Sequence, residues 1–183
     1  MTITSTILPL SHTKGREMNL QETLKHYGIK SFWHFTDMSN LESIEKYGLL
    51  SLQQLNQKKV NVSCYGANEL SHQLDEAKGL DRYVHLSFIP DHPMQYMRVK
   101  NGKMPNPIWL EIDVSVIFEN RTLCSDEVAN ATDADLYHIE DMAKVIDLKT
   151  LLKHPHWSNP IRKAELMVAN KIDYSKIKEI YHG

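Results

Sequence analysis

Residues 29–50 read IKSFWHFTDMSNLESIEKYGLL, and this segment defines the local architecture of the chain. Its first seven residues, 29–35, are rich in aromatic side chains, a composition that favours a β-strand. A tight turn follows, and Ser39 or Asn40 can cap the helix that begins after it. Apolar residues then recur on one helical face until Gly48, which can end the helix. The segment therefore predicts a strand, a tight turn and one short helix.

The residues before this segment divide into an arm and the start of a single domain. Leu20 and Leu24 lie four residues apart ahead of Gly28, which predicts a short helix that ends at the glycine. Residues 1–17 have neither the basic region nor the long apolar region of a secretory signal, and we expect them to form a loose N-terminal arm. The domain then covers residues 18–183.

Alternating apolar and polar residues predict further strands downstream. Residues 83–89 (YVHLSFI) have the pattern of a strand with one buried face. Residues 108–114, 164–168 and 177–181 also predict strands, residues 65–79 predict a helix or an ordered loop, and residues 51–59 are polar. Asn101 and Gly102 predict a hairpin-like turn after residues 95–100. Short strands interleaved with a few short helices indicate an α+β domain with mainly antiparallel pairing.

Composition and charge exclude several classes of protein. Of 183 residues, 42% are hydrophobic and 24% are charged, which is typical of a globular domain and not of a disordered chain. A formal net charge of -2 gives the whole chain no preference for a polyanion, so a nucleic-acid role requires a local basic patch. Residues 144–163 form such a patch after an acidic segment over residues 119–141.

The spacing of cysteines and histidines gives no metal or redox motif. Cys64 and Cys124 lie far apart, which excludes a CxxC pair and favours a reducing cytoplasm. The tightest histidine pair, His154 and His156, is separated by proline and has no Cys or carboxylate close behind it, so we predict no metal ion. No apolar run is long enough to span a bilayer, and we expect a cytoplasmic protein without a membrane partner.

His34 and Thr36 are candidates for a ligand site. Side chains two positions apart on a strand share a face, so an imidazole and a hydroxyl can bind one ligand together. The alternative is a core histidine that packs beside Trp33 and Phe35.

Glu165 is a second candidate, because it lies in a predicted strand behind a long basic and aromatic loop, residues 154–162. Such a loop is suited to hold a polyanion or a base beside a carboxylate. The alternative is a solvated charge on an edge strand.

Taken together, several motifs resemble those of the DarT family of nucleic-acid ADP-ribosyltransferase toxins. They cover most of the chain from Phe32 onward, and their order and spacing are more specific than any one of them alone. The motifs are FWHFT (32–36), NLESI (40–44), YGLLS (47–51), DRYVHLSF (81–88), HPM (92–94) and RKAELMV (162–168).

The resemblance implies the ADP-ribosyltransferase fold, a split antiparallel sheet with short flanking helices and with NAD as co-substrate in its cleft. By resemblance, His34, Phe35 and Thr36 would hold the nicotinamide and its ribose, Asn40 and Ser51 would complete the NAD site, and Glu165 would be the catalytic carboxylate.

The chain departs from the family at the catalytic arginine, which the family carries between the first motif and the strand equivalent to residues 83–88. Residues 60–78 contain no arginine. Counted from His34, the position falls near His72, and the nearest arginine is Arg82. We expect His72 or Arg82 to take over part of the catalytic role, or this branch to use a different base-activating group.

The resemblance implies an NAD-dependent ADP-ribosyltransferase that modifies a base in single-stranded DNA or RNA. It would act as the toxin of a toxin-antitoxin or phage-defence pair, with a cognate antitoxin protein as partner. The alternatives are a protein ADP-ribosyltransferase or NAD hydrolase of the same fold, and a non-catalytic NAD- or nucleic-acid-binding module. The predicted nucleic-acid surface contains Lys149, Lys153, His154, Trp157, Arg162 and Lys163, and Arg98, Lys100 and Lys103 would extend it.

Overall fold

The computed structural model describes residues 18–182, so the predicted arm over residues 1–17 lies outside the described residues. The α-helices of this part of the chain are α1 (Leu20–Tyr27), α2 (Leu41–Tyr47), α3 (Leu52–Lys58), α4 (Glu69–Lys78), α5 (Pro93–Lys100), α6 (Val116–Glu119), α7 (Met142–Val145) and α8 (Leu148–Leu151). Its strands are β1 (Ser31–Asp37), β2 (Leu49–Leu50), β3 (Tyr83–Ser87), β4 (Pro107–Asp113), β5 (Thr122–Ser125), β6 (Tyr137–His138), β7 (Glu165–Ala169), β8 (Lys171–Ile172) and β9 (Ile177–His182).

The strands form one large sheet and one small ladder. Within residues 18–182, seven strands pair in the order β6-β5-β7-β3-β1-β4-β9, and every pairing is antiparallel. β2 and β8 pair separately, also antiparallel. Short helices connect and flank these strands, which confirms the predicted α+β class with antiparallel pairing.

The ladder between β1 and β3 is interrupted near the centre of the large sheet. β1 pairs with β4 along its whole length, from Ser31 to Asp37. With β3 it pairs only at Trp33, opposite Ser87, whereas β3 forms a five-residue ladder with β7 on its other side. Because β1 and β3 stop pairing beyond Trp33, the sheet opens there. This opening is the split that the resemblance predicts.

Apolar clusters cover both faces of the large sheet. The larger cluster contains Phe32, Leu86, Leu110 and Leu166 from alternate positions of the central strands. The smaller cluster contains Leu80, Tyr83, Leu123 and Met167. Since Tyr83 and Ser87 are buried on the second face of β3, the prediction of a single buried face for residues 83–89 is wrong. Polar side chains on this face of β3 and β7 therefore lie inside the molecule.

Residues 95–100 are helical, which contradicts the predicted hairpin. They belong to α5, which begins at Pro93, a residue whose fixed φ suits the first turn of a helix. His92 caps this helix, because its Nδ1 accepts a hydrogen bond of 3.2 Å from the amide of Met94. Gly102, with a φ of 64°, follows the end of the helix instead of joining two strands.

Two elements arise from segments that have no apolar periodicity. The polar residues 51–59 contain α3, and Ser51 caps it by accepting a hydrogen bond of 3.3 Å from the amide of Gln54. β5 lies inside the acidic segment of residues 119–141 and pairs with β7. The local pattern of apolar and polar residues therefore predicted neither α3 nor β5.

Gly48 joins α2 to β2 at a place where only glycine fits. Its φ of 80° and ψ of -178° lie in a region that L residues rarely adopt. A Cβ atom at this position would lie 2.4 Å from the carbonyl oxygen of Ile172. Pairing of Leu49 with Ile172 between β2 and β8 fixes that close approach. Gly48 therefore allows the end of α2 to lie against the strand that follows β7.

Gly48→Ala should lower the free energy of unfolding by about 3 kcal/mol or more, because backbone strain adds to a clash with a fixed carbonyl. Gly28→Ala is the matched control, since Gly28 has a φ of 66° but no atom within 4 Å of the added Cβ. We expect it to cost about 1 kcal/mol. Urea unfolding followed by circular dichroism measures both losses, and equal losses would contradict the close approach at Gly48.

Candidate active site

The opening between β1 and β3 forms a cleft that brings most of the predicted site residues together. Its walls come from β1, α2, α4, β3 and β7 and from residues 62–67. The lining includes His34, Phe35, Thr36, Asn40, His72 and Glu165. β1 and the first residue of β7, Glu165, therefore line one shared cavity.

Glu165 is the first residue of β7 and lies in the interior of the large sheet. It stands opposite Ser87 of β3 and Ser125 of β5 and is only 6% exposed. The alternative of a solvated charge on an edge strand is therefore wrong. His85 Nδ1 lies 3.0 Å from Oε2 of Glu165, and the amide of Ala129 donates to the same oxygen at 3.4 Å. No residue within 18–182 donates a hydrogen bond to Oε1.

His85 lies within the motif of residues 81–88, but the sequence analysis assigned it no role in the site. Burial by itself would lower the pKa of His85, but the hydrogen bond and charge of Glu165, together with the charge of Asp75, raise it to about 9. An imidazolium therefore faces the carboxylate at neutral pH. Strand alternation puts His85 on the same face of β3 as Ser87, but only the register between β3 and β7 brings Glu165 to that face.

Asp75 and the segment after β5 surround this pair. Asp75 lies on α4, where burial raises its pKa, and its Oδ1 accepts a hydrogen bond of 3.0 Å from Asn130. Lys78, further along α4, donates from Nζ to the carbonyl of Ala129 at 3.4 Å and also to the carbonyl of Ala131. These contacts hold the backbone around Ala129, whose amide donates to Glu165.

His34 occupies the gap that the interrupted ladder leaves. Its Nδ1 lies 2.9 Å from the carbonyl oxygen of His85, so this nitrogen carries the proton and donates it. Burial lowers the pKa of His34 against the opposing effect of that hydrogen bond, and the charge of His85 lowers it further. The ring is therefore neutral and its Nε2 is an acceptor. His34 is half-buried and also lines the cleft, so it combines a packing position with access to a ligand.

Phe35 belongs to an aromatic wall of the cleft. The ring of His92 stacks on Phe35 with centroids 6.0 Å apart and planes at 19°, and Trp109 meets Phe35 edge-on at 5.5 Å. Gly66 lies against the same ring, because a Cβ at this position would be 3.2 Å from it. Burial lowers the pKa of His92, so this wall carries no charge at neutral pH.

Asn40 holds one wall of the cleft together and does not cap α2 with its side chain. Its Oδ1 accepts hydrogen bonds from the amides of Ser63 at 3.0 Å and Cys64 at 3.3 Å. Its Nδ2 donates to Thr36 Oγ1 at 3.1 Å and to the carbonyl of Cys64 at 2.6 Å. These four bonds use the whole hydrogen-bonding capacity of the amide. Asn40 lines the cleft and positions residues 63–64, and its predicted NAD contact stays a prediction.

Arg82 and Ser51 lie outside the cleft, which corrects two further predictions. Arg82 is exposed, and its Nε donates to the carbonyl of Gly79 at 2.9 Å. Ser51 is 1% exposed because its hydroxyl caps α3. In both cases a local cap fixes the side-chain direction, and sequence proximity to a motif does not reveal it.

His72 lies on α4 and lines the cleft, and its predicted share in the arginine's role stays a prediction. Its ring meets the edge of Tyr65 with centroids 4.8 Å apart, and burial lowers its pKa. Arg98 donates to the carbonyl of Tyr65 at 2.8 Å and so supports the loop from outside. Among the described residues that line the cleft there is no lysine or arginine, so histidines are its basic groups.

Most of the predicted nucleic-acid residues are exposed, and one is not. The exposed side chains are Lys149, Lys153, His154, Trp157 and Lys163. Arg162 is 4% exposed, and its guanidinium donates to the carbonyl of Pro155 at 2.7 Å and to Asp91 Oδ2 at 2.9 Å. The prediction of a phosphate contact by Arg162 is therefore wrong, because its charge anchors the loop to the turn after β3.

The profile of one protein family matches residues 33–183, and its description is ssDNA thymidine ADP-ribosyltransferase, DarT. The chain belongs to the DarT family. This membership confirms the resemblance found in the motifs. No curated protein sequence matches the chain.

Solved structures of DarT proteins share this fold. Thermus sp. 2.9 DarT in complex with ADP-ribosylated ssDNA has a TM-score of 0.69 and 18% identity, with 84% of this chain and 81% of that chain covered. The same protein in complex with NAD+ has a TM-score of 0.61 and 18% identity, with coverages of 83% and 81%. Thermosipho africanus DarTG in complex with ADP-ribose has a TM-score of 0.69 and 20% identity, with coverages of 84% and 44%. These matches confirm the predicted ADP-ribosyltransferase-like sheet.

In residues 18–182, no group of three or more His, Cys, Asp and Glu side chains is arranged to hold a metal ion. None of the helices in the same range has the length and apolar character needed to cross a bilayer.

Asn40→Ala should lower the free energy of unfolding by about 2 to 4 kcal/mol, because one buried and three partly buried groups lose their partner at once. Asn56→Ala is the control, since Asn56 is an exposed asparagine on α3. Urea unfolding measures both, and limited proteolysis should show faster cleavage near residues 63–66 only in the Asn40 variant. Equal stability of the two variants would contradict the role assigned to Asn40.

Proposed function

We propose that this chain transfers ADP-ribose from NAD to thymidine in single-stranded DNA. The observation that carries the proposal is a cleft in which Glu165 faces the strand of His34, Phe35 and Thr36, in a member of the DarT family. The family description names thymidine and single-stranded DNA, and the Thermus complexes with NAD+ and with ADP-ribosylated ssDNA support the same donor and acceptor. RNA, the other predicted acceptor, has no comparable support.

The cleft is suited to the nicotinamide riboside part of NAD. Phe35 and Trp33 offer aromatic surface for the nicotinamide ring. Nε2 of His34 and Oε1 of Glu165 are acceptors for ribose hydroxyls. Because the described lining has no lysine or arginine, the diphosphate would meet no permanent cation there.

The reaction breaks the bond between ribose C1′ and the nicotinamide nitrogen. Nicotinamide leaves with the bonding electrons. A new bond forms between C1′ and a ring nitrogen of thymine. Positive charge develops on the ribose during this exchange, and the carboxylate of Glu165 stabilises that charge more than it stabilises the ground state. Glu165 is therefore the proposed catalytic residue.

The acceptor nitrogen must lose a proton before or during attack. Thymidine has one ring N–H, so this is the group that reacts, and it must be unpaired to enter the cleft. His72 is the proposed general base, because burial lowers its pKa and leaves it neutral and able to accept the proton.

The loop before β7 and the exposed face of α5 form the proposed DNA surface. Trp157 is 59% exposed and lies 6.1 Å from Tyr96, measured between ring centroids, and Lys100 Nζ lies 5.8 Å from the Tyr96 ring. Exposed aromatic rings next to basic groups bind single strands by stacking on bases and contacting phosphates. Arg162 holds this loop beside the turn that leads into α5. The surface therefore adjoins the Glu165 side of the cleft.

We also propose a toxin role in the cytoplasm with a cognate antitoxin as partner. Modified thymidine would obstruct copying of the cell's own DNA, so such an activity requires a neutralising protein. Family membership supports this role, and a function in phage defence stays a prediction. Rescue of growth by co-expression of a candidate antitoxin would test it.

Glu165→Gln should reduce transfer of labelled ADP-ribose from NAD to a thymidine-containing oligonucleotide by about 1000-fold or more, because the amide keeps the shape and loses the charge. Glu45→Gln, at an exposed position on α2, is the matched control and should keep full activity. Circular dichroism of both variants should match that of the wild type. Full activity of the Glu165 variant would end the proposal.

The acceptor is tested with the same labelled NAD. Single-stranded DNA with one thymidine, the same strand without thymidine, a uridine-containing RNA and lysate protein are offered in separate reactions. Label on the first strand alone is the expected result. Label on protein, or release of free ADP-ribose only, would favour the protein transferase or hydrolase alternatives, and NAD binding without nicotinamide release would favour a binding module.

Trp157→Ala should raise the KM for the oligonucleotide by about 5- to 100-fold, the value of one lost base stack, and should leave the KM for NAD unchanged. Tyr174→Ala is the control, since Tyr174 is 39% exposed and lies outside this surface. Steady-state kinetics with each substrate varied in turn measures both. An unchanged oligonucleotide KM in the Trp157 variant would exclude this surface.

A further inference from the structure

We propose that His85 is the positioning residue of Glu165 and the positively charged group of the cleft. The inference rests on the proposed function and deepens it, because it assigns how a buried carboxylate is oriented and balanced in charge for the reaction. It follows from the geometry around Glu165 and from the kinds of side chain that line the cleft.

The strand register explains how the two side chains meet. Glu165 pairs with Ser87 and His85 pairs with Met167, so His85 and Glu165 are diagonal neighbours on one face of adjacent antiparallel strands. His85 Nδ1 contacts Oε2 at 3.0 Å, and the amide of Ala129 contacts the same oxygen at 3.4 Å. Both donors hold Oε2, which leaves Oε1 as the oxygen that can accept a hydroxyl of the substrate.

The charges around His85 come from each element that packs against it. Glu165 on β7 and Asp75 on α4 are the acids, and the neutral imidazole of His34 on β1 donates to the backbone carbonyl of His85. The two carboxylates raise the pKa of His85 from its ordinary value to about 9. The folded-state pKa is raised, so the pair stabilises the fold fully below pH 6.5, and this contribution is lost as the pH rises through about 9.

A cation at this position meets a requirement that no other described lining residue meets. Burying a carboxylate without a counter-charge is strongly unfavourable, and Asp75 adds a second acid nearby. Since lysine and arginine are missing from the described lining, His85 balances this charge. It already holds its proton at neutral pH and so cannot serve as the general base, which leaves that role to His72.

The kinetic test compares His85→Ala with His85→Asn from pH 6 to pH 10, with NAD and a thymidine-containing oligonucleotide. The asparagine amide can donate near the position of Nδ1 but carries no charge. We expect His85→Ala to lower kcat by about 100-fold while the KM for NAD changes less than about threefold, because His85 acts through Glu165. We expect the wild type to show an alkaline fall of kcat above about pH 9, and His85→Asn to recover part of kcat and to lack this fall.

His26→Asn, at an exposed position on α1, is the control and should keep the wild-type profile. A purely structural ion pair would change the unfolding free energy without changing the pH profile of kcat. Wild-type kcat in His85→Ala with the alkaline fall intact would overturn the inference.

A second measurement decides the inference even if the wild type proves inactive on thymidine. NMR titration of the imidazoles should show His85 titrating near pH 9 in the wild type and at least about one pH unit lower in Glu165→Gln. The charge of Glu165, which opposes the lowering of the His85 pKa by burial, is missing in this variant. His85 titrating at or below its ordinary pKa in the wild type would overturn the inference. Failure of the proposed function would instead appear as missing transfer in every variant while this titration is as expected.

Discussion

The site depends on a carbonyl group that the sheet leaves without a strand partner. β1 and β3 pair only at Trp33 and Ser87, so the carbonyl of His85 faces β1 without a ladder bond. His34 satisfies this carbonyl with its imidazole, which a buried backbone acceptor requires. Register places His34 on the face opposite to His85 and Glu165, yet all three line the same opening. The interruption therefore brings together side chains that a continuous sheet would keep apart.

The same opening makes charge balance the main electrostatic constraint on the cleft. Glu165 and Asp75 are both buried, and the described lining supplies no permanent cation against them. A buried histidine keeps a positive charge at neutral pH where nearby carboxylates hold its proton, and His85 lies where two of them do. The fixed segment around Ala129 adds a backbone donor and requires no further charge. Orientation of the Glu165 carboxylate and balance of its charge thus come from the same contacts.

Strands with clear alternation could be predicted from the sequence, and so could the presence of Glu165 in the cleft, because its motif carried that information. α5 could not be predicted, because Asn101 and Gly102 form a common hairpin signal. Pro93 in the first turn and the cap at His92 favour the helix instead. Arg82 and Ser51 lie beside motifs, but local hydrogen bonds turn their side chains away from the cleft. His85 required the register between two strands that are far apart in sequence. Such pairing depends on tertiary contacts that no local window contains.

Burial acts in the same direction on His72 and His85, and their different charge states come from their partners. His72 meets the edge of Tyr65 and has no hydrogen bond to a carboxylate, so its pKa falls, whereas Glu165 holds the proton of His85 up to about pH 9. The proposed transfer of ADP-ribose to a ring nitrogen needs a base for the proton and a cation that balances the charge of the carboxylate. An arginine can supply the cation but is a poor base, because it does not readily lose its proton. In the proposed mechanism, two histidines in different surroundings divide these tasks, and activity should be highest at a pH where His72 is neutral while His85 is charged.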